Sequence, residues 1–160
     1  MDEKITEILD FWFEAPPSEE GEEANPTALP VWEARWFGRS SRVDREVTKR
    51  FGRLVEKARD GNLDHWAGTA QGRLALILLL DQFPRNIHHE SPDAFTSDEK
   101  ALALCYDGLD EEMDKELTIP QRGFFYRPCL HAEDVDAQLA GFEVYTELHE
   151  TAPPPQRDLT

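Results

Sequence analysis

The run Leu74-Ala75-Leu76-Ile77-Leu78-Leu79-Leu80 constrains this chain more than any other feature. It is far shorter than the ~20 apolar residues a membrane-spanning helix needs, yet it leaves no polar face to turn to water. A helix that is apolar nearly all round belongs in a core, with other elements packed against it on every side. Thr69 is placed to cap this helix and Pro84 to stop it, because proline disfavours helical geometry in the residue before it. The expected rod therefore ends at Gln82. Its polar end, Asp81-Gln82, needs partners, since a buried carboxylate is costly unless paired and hydrogen-bonded.

The elements that pack around such a rod are also helical in period. Ile5, Ile8, Leu9, Trp12 and Phe13 form one stripe of an amphipathic helix. Trp32, Trp36 and Phe37 suggest a short helix stopped by Gly38. Val43, Val47, Phe51, Leu54, Val55 and Ala58 line a longer one, opened by Ser41 and Asp44 as a capping box and closed by Asp60-Gly61. Thr96-x-x-Glu99 reads as a second capping box, before a helix carrying Ala101, Leu102, Leu104, Cys105 and Leu109. Thr118-Ile119-Pro120 has the N-cap and first-turn proline pattern of a helix through Phe124 and Phe125 towards Leu130, kinked or ended at Pro128. A last helix is expected from Glu133 to His149, with Val135, Leu139, Phe142 and Tyr145 inward. No alternating strand pattern occurs. The fold class is all-α, built from antiparallel helical hairpins of about six to seven helices in one domain over residues 1–150. Residues 14–30 read as an acidic, proline-rich loop, and 151–160 as a tail.

Charge bounds the function classes. The 160 residues carry 33 acids and 17 bases, a net charge of −16 with histidines neutral. That balance disfavours nucleic acid and anionic membrane surfaces, both of which call for basic protein. The charge is uneven: residues 35–59 hold nine bases against three acids, while residues 1–30 hold nine acids and one base. The basic strip reads either as a solvated face that meets the acidic segments or as a docking strip for an anionic ligand. Cys105 and Cys129 form neither a disulfide framework nor a C-x-x-C motif. With no basic, apolar leader at Met1-Asp2-Glu3-Lys4, a cytoplasmic protein is expected.

Three groups of polar residues stand out. Asp81, Arg85 and Asn86 surround Pro84, and Asp81 can pair with Arg85 or receive backbone N–H groups from a neighbouring helix start. His131, Glu133 and Asp134 bring a histidine and carboxylates together, the vocabulary of acid/base or metal chemistry. Carboxylates there also suit a helix amino terminus, and the spacing matches no metal-ligand pattern. Tyr126 lies just upstream of His131. No phosphate loop, nucleophile elbow or nucleophilic triad is present, and no cofactor or metal is expected.

Five blocks occur in the order seen in the DUF924 family, which this chain resembles: Ile8 to Phe13, Trp36-Phe37-Gly38, Leu63-Asp64-His65-Trp66, Leu76 to Asn86, and His131-Ala132-Glu133-Asp134. The resemblance implies a bacterial protein with a tetratricopeptide-like right-handed superhelix, and it supplies no activity or catalytic residue. Such proteins usually continue into a second Phe-Gly-x-Phe-Pro-x-Arg-Asn-like block after the final helix, where this chain ends in a proline-rich segment. If that block completes a core or a pocket with Phe83 to Asn86, either a short variant or an incomplete domain is expected.

Two function classes follow. In the first, a helical scaffold binds a peptide or small anionic ligand through Trp36, Asp81, Arg85, Asn86, Tyr126, His131, Glu133 and Asp134. Arg85 is then the anion clamp, with Trp36 and Tyr126 as apolar walls. In the second, a small enzyme uses Asp81 or Glu133 with His131 as acid/base or metal-contact group. The enzyme reading requires Asp81 and His131 to converge.

Overall fold

The structure is a computed structural model that describes residues 3–13, 41–88, 91–132 and 134–151. Trp36, Glu133, residues 14–30, expected as a loop, and all but Thr151 of residues 151–160, expected as a tail, lie outside the described residues. Every regular element among those described is helical, as the sequence periodicity predicts.

Helix α1 (Glu3–Phe13) buries Ile5, Ile8, Leu9, Phe11 and Trp12. Helix α2 (Ser41–Arg59) buries Val47, Phe51, Val55 and Ala58, one face at helical spacing. It ends as expected at Asp60-Gly61. Asn62 N–H reaches the Lys57 carbonyl at 2.9 Å and Gly61 N–H the Ala58 carbonyl at 3.2 Å. This Schellman geometry needs a left-handed residue, and Gly61, at φ +85°, adopts it without a Cβ penalty. Arg42, Arg45, Lys49, Arg50, Arg53 and Lys57 stay exposed on the outer face. Arg50 meets Glu7 of α1 at 3.6 Å, an instance of the basic strip facing the acidic amino-terminal segment.

The central rod is α3 (Ala70–Ile77), capped by Thr69, whose hydroxyl accepts from Gly72 N–H at 3.0 Å. The rod does not end at Gln82. It continues through a π-helical turn, Leu78–Gln82, into α4 (Phe83–Ile87), with Pro84 inside. The π turn is what admits the proline. Phe83 N–H bonds five residues back to the Leu78 carbonyl, so the helix widens where the ring of Pro84 would meet the carbonyl four residues before it. One extra residue in the turn thus offsets the break that the sequence predicts.

A second difference lies at the start of α5 (Asp98–Asp110), where Ser97 precedes the helix without capping it. The Thr96 hydroxyl instead donates to the Asp93 carbonyl at 3.2 Å, closing a 3-10 turn at Pro92–Phe95, and the Thr96–Glu99 box does not form. The Ser97 hydroxyl accepts from Arg59 Nε at 3.1 Å, tying α2 to this corner. Helix α6 (Ile119–Phe125) carries the expected cap as a full capping box with Gln121, at 3.0 and 3.3 Å. The chain turns at Tyr126 into α7 (Arg127–His131), with Pro128 in its first turn.

Helix α8 (Val135–Thr151) corrects a further expectation. Val135, Leu139 and Phe142 point outward, 71%, 61% and 70% exposed, and among the described side chains of this helix Ala137, Gly141 and Leu148 are buried. Close approach decides this. A Cβ on Gly141 would lie 2.9 Å from Cys129 Cβ, so the small face of α8 seats directly on α7.

Around α3 pack α1, α5 and α6, while α2 covers α4 and the π turn and α8 lies on α6 and α7. Phe83 is an aromatic hub, stacked on Phe51 at 5.4 Å and edge-on to Trp12 at 5.6 Å. The π turn that carries Asp81 is therefore locked in the middle of the core.

Candidate functional site

Asp81 sits on the π turn and is 1% exposed. Its Oδ1 accepts from Arg85 Nη1 at 2.9 Å, and the same nitrogen donates to the Asp81 carbonyl at 2.7 Å. Arg85 then forks onto Asp98 at the first turn of α5, Nη1 to Oδ1 and Nη2 to Oδ2, both 3.0 Å. The two-pronged geometry fixes the guanidinium plane as well as its charge, and the face of that plane lies 5.1 Å from the Phe95 ring centroid.

From the other side, His131 at the end of α7 places Nδ1 2.8 Å from Asp81 Oδ1 and 3.0 Å from Oδ2. Asp81 and His131 are 50 positions apart and converge. A carboxylate paired with Arg85 is acceptor-only, so Nδ1 is the donor in this contact and Nε2 is the ring nitrogen turned away from Asp81. The His131 side chain is 25% exposed, and among the described residues nothing hydrogen-bonds Nε2. An ordered relay results, from Asp98 through Arg85 and Asp81 to His131, with Nε2 at its outer end.

The other expected residues fall elsewhere. Asn86 is held between Gln82 and Asp44, receiving from Gln82 Nε2 at 3.1 Å and donating to Asp44 Oδ1 at 2.9 Å. It fastens α4 to α2. Tyr126 forms no apolar wall: it is buried, and its hydroxyl donates to Asp114 Oδ2 at 2.5 Å and accepts from Arg122 Nε at 3.1 Å. Burial first, and then the bond to Asp114, pushes its phenol well above the usual tyrosine range. Arg85 is no open anion clamp, because two carboxylates already occupy it. Asp134 is exposed and caps α8, its Oδ2 accepting from Ala137 N–H at 3.3 Å. Trp36 and Glu133 are outside the described residues.

Two participants went unmarked in the sequence reading. Asp98, the carboxylate that completes the Arg85 fork, lies 13 positions on and carries no local signal of that role. Arg73, buried within the apolar rod, donates to the carbonyls of Leu104 and Ala67 at 2.9 Å each and lies 3.2 Å from Met113 Sδ. Its signal was available: an arginine in a helix apolar all round must find buried acceptors.

Behind His131, the thiols of Cys105 and Cys129 touch at 3.8 Å in the buried core. The hydrogen bond to Cys129, burial and the nearby carboxylates Asp114 and Asp81 all push the Cys105 thiol upward. Cys105 is fully buried in the core. Among the described residues no cluster of three or more His, Cys, Asp or Glu side chains is arranged to hold a metal. No helix among them is long and apolar enough to cross a membrane.

Comparison with known proteins points the same way as the motif blocks. No curated protein matches the chain. A solved structure of a protein of unknown function from Agrobacterium tumefaciens superposes with a TM-score of 0.77 at 28% identity, covering 98% of this chain and 82% of that one. Residues 8–159 match the family described as bacterial protein of unknown function, DUF924. With nearly its whole length matched, the chain belongs to the DUF924 family.

Proposed function

We propose that His131 Nε2 is the acid–base contact of a small-ligand site, with Asp81 fixing the imidazole and the Arg85–Asp98 fork fixing Asp81. The observation that carries this reading is the approach of both Asp81 carboxylate oxygens to His131 Nδ1, at 2.8 and 3.0 Å. An acceptor at Nδ1 selects the tautomer whose Nε2 takes a proton from a ligand hydroxyl, water or amide, and it stabilises the imidazolium that forms. Asp81 is not itself the base, because its oxygens are occupied and out of reach of solvent. It is a positioning residue. Of the two function classes the sequence leaves open, convergence favours acid/base chemistry. Binding of an anion through Arg85 is disfavoured by the carboxylates already on it.

Diethylpyrocarbonate tests the reading directly, since it carbethoxylates the unprotonated imidazole nitrogen. Peptide mapping is expected to find His131 modified at least as fast as the exposed His65, and several-fold more slowly in Asp81→Asn. The proposal fails if His131 reacts ten times more slowly than His65, or if Asp81→Asn leaves its rate unchanged. A thermal-shift panel of small carboxylates, phosphomonoesters and dipeptides then asks which class protects His131 from the reagent.

A further inference from the structure

The outer face of α8 carries an apolar stripe with no covering element among the described residues. Val135, Leu139 and Phe142 follow one another at i, i+4 and i+7. Scattered apolar residues on a surface need no explanation, whereas an ordered row of large ones marks a contact face. The opposite side of α8 seats closely on α7 at Gly141, and Ala137 is buried.

The edges of the stripe select the occupant. At 100° per residue, Asp136 and Glu143 fall along one edge, both exposed, and the neutral Gln138 falls on the other. No Lys or Arg occurs anywhere in Val135–Thr151. We infer that this face binds an amphipathic helix of a partner protein, whose apolar side seats on Val135, Leu139 and Phe142 and whose Lys or Arg residues run along the acidic edge. The stripe spans about two helical turns, or ~10 Å, so a partner segment of about three turns covers it. A second copy of this chain is a poor occupant. Its α8 would set acid against acid, and its basic helix α2 has already buried Val47, Phe51 and Val55 in its own core.

Fluorescence anisotropy with a labelled 14-residue helical peptide of leucine and lysine, and a matched leucine and glutamate peptide, tests the proposal. The full chain is compared with the double variant Leu139→Ser/Phe142→Ser, whose side chains face solvent and whose melting temperature should stay unchanged. Expected are micromolar binding of the lysine peptide, at least tenfold weaker binding of the glutamate peptide, and at least tenfold loss in the double variant. Equal binding of the lysine peptide by chain and variant would mean attraction to net charge alone and would overturn the proposal. So would equal affinity for both peptides, absence of binding, or sedimentation as a dimer that the double variant abolishes.

Discussion

Replacing Asp81 with asparagine changes one oxygen to an amide nitrogen, and the structure fixes what that does. Oδ1 receives donors from both Arg85 and His131, and Oδ2 also lies within reach of His131 Nδ1. Asparagine keeps one acceptor and adds two donors, so one of the approaching N–H groups must face another donor. Removing one partner of a buried pair costs ~3–5 kcal/mol where the remaining charge is stranded. Arg85 is not stranded, because its fork on Asp98 and its bond to the Asp81 carbonyl survive. A cost of ~2–4 kcal/mol follows, against the ~5–15 kcal/mol total of a typical domain. At ~2–4 °C per kcal/mol for this size, the melting temperature should fall by about 4–16 °C. Urea unfolding followed by circular dichroism and tryptophan fluorescence measures it, in a cycle of Asp81→Asn, His131→Ala and both together. Contacting residues in one network show coupling of ~0.5–3 kcal/mol. A single-variant cost under ~0.5 kcal/mol, or additivity within that margin, would refute the reasoning for the dyad.

Three further outcomes follow from the same packing. Gly108→Ala places a Cβ 2.4 Å from Phe125 Cζ and 2.7 Å from Arg73 Cδ, so overpacking should cost ~1–3 kcal/mol in urea unfolding. An unchanged midpoint would mean α5 sits further from α3 and α6 than described. Thr118→Ala removes half of the capping box and should cost ~1 kcal/mol, while Thr96→Ala, which touches no helix cap, should cost distinctly less. Tyr126 is held protonated above its unfolded value of ~10. The stability it contributes is therefore intact below pH ~10 and is lost as pH rises beyond that, because only the unfolded phenol ionises freely. Thermal melts between pH 8 and 11 should show that decline, and a flat profile would contradict the buried Tyr126–Asp114 bond.

The sequence by itself determined what depends on neighbours along the chain. An apolar run without a polar face had to be the core rod, and Thr69, Gly61 and Thr118 fixed helix ends because their caps are local. It also singled out Asp81 and His131, since a carboxylate at the end of a buried helix needs a partner. Tertiary structure decided what depends on which surfaces meet. Pro84 continues the rod only because Leu78–Gln82 opens into a π turn that the core packing around Phe83 holds in place. Arg85 became an anchor for Asp81 because the first turn of α5 brought Asp98 to it, and Tyr126 turned from a wall into a lock once Asp114 lay under its hydroxyl. The inward face of α8 was the sharpest reversal. Hydrophobicity named Val135, Leu139 and Phe142, but a close helix contact selects small residues, and Ala137 and Gly141 won the interface.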